Sequence, residues 1–318
     1  MKMNHTRKIR IAITFLLVVF VFFTVTPFLA GQLDNGKDTH KQWLEFLIEY
    51  RRQKDEDFKT SPTSPMAGNV RLLVKAGQKG QKVFIVRKNR DFSVSRQEVL
   101  GTQLSLEDRK GQWLWKKHAA GITCSAGKKT IASGLLLPEQ CSFQVDEFLV
   151  KVYTSKDGLV LLVFDPKRPE IQHFSHLYYF PPDPEFAVPA VLKKYPKITK
   201  VTMLTSQNLE KTFYRYAAIK FKMEGKELQL TAFKFSLIGN GEKSILFIPF
   251  ADATSGKETY EVGRFLEIPE PKESNLILDF NYSFNPLCNY SPAYNCPIPP
   301  LENTLDVPIK AGEKTYPH

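Results

Sequence analysis

FLVKVYTSKDGLVLLVF, residues 148–164, decides the fold class of this chain. Two β-rich runs, Phe148–Thr154 and Leu159–Phe164, flank Ser155, Lys156, Asp157 and Gly158. Such residues accept tight-turn backbone, so the stretch predicts an antiparallel hairpin. Upstream, short β-rich runs recur at Val70–Val74, Val83–Val86 and Gln112–Trp115, separated by Gly, Asp, Ser and Lys. No convincing helical period interrupts them between Val70 and Asp165. The pattern predicts an antiparallel β-sandwich or barrel-like middle over residues 67–168.

Downstream, the prolines of Asp165–Pro169 mark a junction. The β pattern resumes in Tyr214–Met223 and Leu228–Phe235, a hairpin about Glu224 and Gly225, and again in Ile245–Phe250. The last fifty residues hold nine of the 21 prolines. Proline donates no ladder hydrogen bond, so a long irregular wrap is expected to close a β-rich domain spanning 169–318. Before the middle region, Thr39 and Gln42 form a candidate capping box, and Trp43, Leu44, Leu47, Tyr50 and Arg51 follow at helical spacing. An amphipathic helix is expected to about Phe58, ending at the prolines of Thr60–Pro65, with a polar stalk before it (31–66 together). The charges of Arg51–Asp57 read as its solvated face. The fold class is mainly β.

The chain has 318 residues, 42% hydrophobic, with a formal charge of +11. Those figures exclude disorder and a polytopic membrane protein. Ile11–Val25 is apolar but for Thr14 and Thr24, follows Lys2, Arg7, Lys8 and Arg10, and sits in thirty residues without an acid. Basic flanks stay cytoplasmic, so residues 1–30 read as a signal anchor meeting the membrane through 11–30, or as a cleaved signal peptide. Residues 31–318 are expected to be extracytoplasmic, or secreted or periplasmic after cleavage. They carry 40 basic and 33 acidic side chains, a diffuse excess that names no nucleic acid. Four cysteines suit an oxidising compartment, and their spacing favours two local disulfides, Cys124 with Cys141 and Cys288 with Cys296. In the chain-entropy model these loops are worth about 3.2 and 2.6 kcal/mol.

No nucleophile elbow, zinc-protease helix, P-loop or dinucleotide fingerprint occurs, and His173 and His176 lack an acidic co-ligand. The densest polar stretch is Phe247–Leu266. Asp252 is placed to accept the amides of the Thr254–Ser255–Gly256 turn, with Glu258 and Arg264 pairing across a following hairpin. A second cluster, Asp279, Asn281, Asn285, Glu302 and Asn303, offers oxygen donors of the kind calcium prefers, or a polar pocket. No other cofactor is implied. Glu313 is expected to pair with a cation inside the domain.

At these residues the chain resembles the uncharacterised bacterial and archaeal family called domain of unknown function 1684, from about Phe174 to Tyr316. ATSGKETYEVGRFL (253–266), the 278–309 stretch and KAGEK (310–314) carry the likeness. It places Asp252, Thr254, Ser255, Gly256, Glu258, Thr259, Tyr260, Gly263, Arg264, Asp279, Asn281, Asn285, Pro286, Cys288, Cys296, Glu302, Asn303, Gly312, Glu313 and Lys314 on motif positions. A weaker likeness covers Trp43, Arg51, Arg52, Asp57, Phe58, Ser64 and Pro65. The chain departs from the family at Ala251, Phe284 and Leu287, where Arg, Tyr and Pro are common. The middle region is similar, by analogy of pattern, to a forkhead-associated-type sandwich, with no phosphothreonine-reading residues assignable.

The expectation is therefore a membrane-anchored extracytoplasmic protein that binds a polar small molecule or envelope component. Its ligand candidates are Asp252, Thr254, Ser255, Glu258, Tyr260, Arg264, Asp279, Asn281, Asn285, Glu302 and Asn303. The alternatives are an envelope hydrolase using two of Asp252, Glu258, Asp279 and Glu302 as acid and base, and a structural envelope protein whose polar groups are consumed internally.

Overall fold

The structure is a computed structural model that describes residues 36–317, apart from 76–81, 128, 132, 157 and 238–243. It is mainly β, in antiparallel sheets, with one long helix at the N-terminal side. The expected membrane anchor at 11–30 lies outside the described residues. Among the described residues no helix is long and apolar enough to cross a membrane.

Two compact units divide the chain. The first is Val70–Asp165. Its strands are β1 (Gly68–Lys75), β2 (Lys82–Lys88), β3 (Asp91–Ser95), β4 (Thr102–Arg109), β5 (Gln112–Lys117), β6 (Ile122–Ala126), β7 (Lys129–Ile131), β8 (Ser133–Leu136), β9 (Cys141–Val145), β10 (Phe148–Ser155) and β11 (Gly158–Phe164). They form one sheet in the order β1-β11-β10-β9-β6-β7 and another in the order β3-β2-β4-β5-β8. The predicted hairpin is the β10–β11 pair, in register from Leu149 opposite Phe164 to Ser155 opposite Gly158. Alternating side chains from both sheets share one core. Trp115 meets Phe143 edge-on at 5.0 Å and Phe92 meets Phe148 at 5.1 Å, each pair drawn from opposite sheets.

The second unit joins the described part of Phe22–Asn69 to Pro166–His318. Helix α1 (Gly36–Thr60) begins at least three residues before the expected capping box, so Thr39 lies inside it. A single turn, α2 (Pro169–Gln172), follows the junction. The unit's sheet runs β16-β15-β14-β13-β12-β17, with β12 Ala187–Leu204, β13 Glu210–Met223, β14 Lys226–Lys234, β15 Ile245–Phe250, β16 Arg264–Pro269 and β17 Asn275–Asp279. Between β13 and β14, Glu224 and Gly225 both take positive φ (50° and 74°), the backbone that a two-residue hairpin turn requires.

The longest strand, β12, has no clear sequence signal, because it contains Pro189 and Pro196. The ladder with β13 breaks between Lys194 and Thr199, and this irregularity absorbs Pro196. Val188, Ala190 and Leu192 of β12 point into the core with Ile219, Phe221, Leu230 and Ile248. The Pro-rich wrap lays Leu305, Val307, Ile309 and Ala311 on them, so this face of the sheet is closed by irregular chain.

Candidate functional site

Asp252 sits just past β15 and organises the loop that its position predicts. Its Oδ1 accepts the amide of Thr254 (2.9 Å), the Thr254 hydroxyl (2.6 Å) and the amide of Ile309 (3.1 Å). The Thr254 and Thr259 hydroxyls meet at 2.8 Å, which closes the turn. Gly263 then brings the chain into β16 at φ 103°, where a Cβ would stand 2.5 Å from the Phe250 carbonyl oxygen. Only glycine fits there.

The next residue, Arg264, is fully buried. Its guanidinium donates to Asp252 Oδ2 (2.8 Å), Ile309 O (2.7 Å), Glu313 O (3.3 Å) and Ala311 O. Glu258 was the expected partner; it lies outside and faces Lys310 at 3.6 Å, because Arg264 points into the core while Glu258 stays at the surface. Burial pulls the Arg264 pKa down, and the Asp252 charge holds it up. One cation thus fixes both the Asp252 loop and the end of the wrap.

The other candidates are spent in separate networks. Asp279 Oδ1 caps the short turn Phe280–Tyr282 through the Asn281 amide (2.9 Å), and its Oδ2 accepts the Trp43 indole (2.7 Å). Asn281 exchanges two hydrogen bonds with the backbone of Asp183. Asn285 donates its amide to Glu313 Oε2 (2.7 Å) and its side chain to Lys314 O (2.7 Å). Glu302 pairs with Arg215 and accepts the Thr231 hydroxyl (3.0 Å). Asn303 bonds the Thr231 amide and the carbonyls of Thr231 and Pro249. Ser255 accepts the Asp252 amide (3.1 Å), and Tyr260 donates to Cys288 Sγ (3.7 Å). The four carboxylates proposed as acid and base each have a different partner. The calcium donors are likewise divided, and among the described residues no group of three His, Cys, Asp or Glu is arranged to hold a metal.

What the fold does bring together is a polar cluster under α1. Trp43, Leu47, Tyr50, Lys54 and Phe58 follow one helical stripe. The Lys54 ammonium reaches Glu313 Oε1 at 2.5 Å and lies 4.8 Å from the centre of the Phe284 ring. Glu313 Oε2 accepts the Tyr290 hydroxyl at 2.6 Å. Arg51 stacks over Tyr179 at 4.5 Å and donates to Phe180 O at 2.9 Å, while Asp55 accepts the Leu177 amide at 2.9 Å. Arg51, Lys54 and Asp55 of the Arg51–Asp57 tail therefore turn to internal partners, while Arg52 and Glu56 stay on the solvated face its charges suggested. Tyr179 Oη, Asn285 Oδ1 and Arg51 Nε are buried without a partner among the described residues.

Electrostatics follow from this burial. Desolvation alone would lower the Lys54 ammonium, but Glu313 and Tyr50 hold it above its ordinary value. Desolvation raises the Glu267 carboxyl to about 7, against the pull of Lys54. Tyr290 is pushed well up by burial beside Glu313. Lys54, Glu267, Tyr50, Tyr179 and Tyr290 carried no signal as site residues. They are scattered along the sequence, and only their packing makes them a cluster. The weak likeness at Trp43 and Arg51 was the one available hint.

The four cysteines are free thiols, not the expected disulfides. The neighbours are nonetheless the expected ones: Cys124 hydrogen-bonds Cys141 across β6 and β9, and the Cys288 amide donates to Cys296 Sγ at 3.2 Å. The hydrogen bond with Cys296, and lesser ones with Tyr260 and Ser206, bring the Cys288 thiol to about 7 against the effect of burial. His173 and His176 are both exposed and build no site. The first unit separately carries a cleft of about 450 Å³ whose lining includes Trp113, Leu135, Leu137, Pro138, Asp108 and Thr154, none of them a motif residue.

The fold and this network define a β-rich protein whose motif side chains tie irregular backbone into place. The chain belongs to the family described as "Protein of unknown function (DUF1684)", whose model matches residues 172–314. It is similar to an uncharacterised protein of Haloarcula marismortui solved in solution by NMR. The two are 33% identical over 48% of this chain and 83% of that one, with a TM-score of 0.40. No curated protein matches the chain at a significant level.

Arg264→Met strands the buried Asp252 carboxylate and several carbonyls, and is expected to cost about 3–5 kcal/mol in urea unfolding. Glu267 sets a pH dependence. The folded chain holds its proton to about pH 7, whereas a solvated glutamate releases it near 4.5. Its contribution is therefore complete below about pH 4.5 and is lost as the pH rises to about 7. Glu267→Gln should flatten this slope, leaving the variant more stable than the parent above pH 7 by on the order of 2 kcal/mol.

Proposed function

We propose that the protein is a membrane-anchored extracytoplasmic binding protein for an envelope component, and that its motif residues build the binding platform instead of performing a reaction. The observation behind it is that the four motif carboxylates do not converge. Asp252 and Glu302 pair with Arg264 and Arg215, Glu258 faces Lys310 at the surface, and Asp279 accepts the Trp43 indole. This argues against an acid–base pair and is shared with the structural reading. An acid–base pair needs two carboxyl groups facing one reacting bond. The apolar run at 11–30 with its basic flank supplies the address, with cleavage to a secreted or periplasmic form as the variant of the same reading.

The four cysteines are free thiols in this structure; in that compartment an oxidant is expected to close them as Cys124–Cys141 and Cys288–Cys296. Each closes by exchange with a disulfide-bearing carrier. One thiolate attacks the carrier's S–S bond and expels a carrier thiolate, and its partner then attacks the mixed disulfide and releases the reduced carrier, with Cys288 as the first attacker of its pair.

Fractionation of cells expressing the full chain, followed by intact mass under non-reducing conditions, tests the reading. It expects the protein in the membrane fraction or the periplasm, unreactive to maleimide and lighter than the reduced form by two hydrogens per pair. Recovery in the soluble cytoplasmic fraction with four alkylatable thiols overturns it.

A further inference from the structure

Outside the first thirty residues the net charge is +7, and it is not diffuse. The β12–β14 meander, residues 187–234, contains ten basic and three acidic side chains, while the rest of 31–318 carries thirty of each. Several of these cations are consumed: Lys194 and Lys234 by Glu270, Arg215 by Glu302, Lys222 by Glu227, Lys226 by Asp306, and Lys211 by the Asn295 carbonyl. Lys193, Lys197, Lys200 and Lys220 are exposed and have no acidic partner among the described residues.

Strand alternation determines where two of them point. Val188, Ala190 and Leu192 enter the core, so Pro189, Val191 and Lys193 face outward; Ile219 and Phe221 enter it, so Lys220 faces outward. The register sets Val191 opposite Lys220 and Pro189 opposite Ile277 of β17. The outer face therefore alternates ammonium groups with bare aliphatic side chains. Val191 is 49% exposed and Ile277 56%. Beyond the irregularity at 194–199 the register sets Lys200 opposite Tyr214, and Tyr214 opposite Lys234, so Lys200 lies on the other face, with Ala232. The opposite face is already closed by the wrap.

We propose that this outer face of β12, β13 and β17 docks onto an anionic lipid surface. The inference rests on the envelope-binding reading and names the component bound. Charge complementarity alone would fit any polyanion. The aliphatic side chains beside the lysines favour lipid, because a headgroup layer takes the ammoniums of Lys193 and Lys220 while the boundary below takes Val191 and Ile277. A soluble anionic polymer rewards only the charge.

The test is a lysine footprint of the full chain incorporated into vesicles of phosphatidylcholine alone or with about 30 mol% phosphatidylglycerol. An amine-acetylating reagent is applied, and labelling is read by peptide mass spectrometry. Acetylation of Lys193 and Lys220 is expected to fall by at least about threefold on the anionic vesicles and to recover in about 0.5 M NaCl, with Lys200 on the other face and Lys59 unchanged. The V191D/I277D double variant should lose the protection at Lys193 and Lys220. Equal labelling on both vesicles overturns the proposal. So does protection by soluble polyphosphate on neutral vesicles without protection by anionic lipid, which assigns the face to a polymer. Either failure in a chain that still fractionates with the envelope removes the lipid surface and leaves the envelope reading standing.

Discussion

The second unit depends on a guanidinium placed where water cannot reach it. Arg264 has no exposure, and a cation without solvent must be surrounded by acceptors or it is not tolerated. Asp252 supplies one charge, and the carbonyls of Ile309, Ala311 and Glu313 supply the rest. That requirement fixes the course of the C-terminal wrap, since a chain too rich in proline to pair as a strand is held at those carbonyls. Once 309–313 is in place, Gly312 at φ 75° lies close against Ser283, and a Cβ there would stand only 2.8 Å from the Phe280 carbonyl oxygen. Glu313 is then set against Asn285, Tyr290 and Lys54.

The same logic explains why α1 belongs with the far end of the chain. Its contacts are made by side chains whose partners are backbone or motif groups of the wrap and the segment leading into β12: Trp43 on Asp279, Arg51 on Phe180, Lys54 on Glu313. Below them Phe58 packs against Phe174 and Tyr290. A buried lysine–glutamate pair is weak evidence for net stability, but it is strongly directional, because either partner left alone would be an uncompensated charge. It selects one seating of the helix on the wrap. Phe284 stands where the family tends to have Tyr, and here its ring face receives the Lys54 ammonium, an interaction that does not need the phenol.

Polar density is an ambiguous guide to a site for a physical reason. Asp, Asn, Thr and Glu concentrated on irregular chain satisfy backbone groups that a sheet would have paired, and the same residue types build ligand sites. Sequence cannot separate the two uses, since the difference is whether the partner is internal. Asn303 illustrates it: all three of its side-chain hydrogen bonds go to the backbone of Thr231 and Pro249, far away in the chain. The lysines of β12 and β13 show the converse. Their number was visible from the start, but their significance appeared only when β12 proved to be a strand with one buried face.

Local pattern alone was enough for the hairpin at 148–164, the β class of the middle region, the amphipathic helix and its proline stop, the turn at Glu224–Gly225 and the irregular end. Each depends on interactions within a few residues or on a period that burial imposes. Nearest neighbours among the cysteines were readable too, because short loops close most easily. Tertiary structure alone decided that Arg264 turns inward to Asp252, that Lys54 rather than a nearer cation meets Glu313, and that a strand broken by two prolines lies inside the sheet. Those outcomes depend on which distant groups compete for the same buried charge or backbone donor. That competition is settled by packing between groups as far apart in the chain as Lys54 and Glu313, and has no local signature.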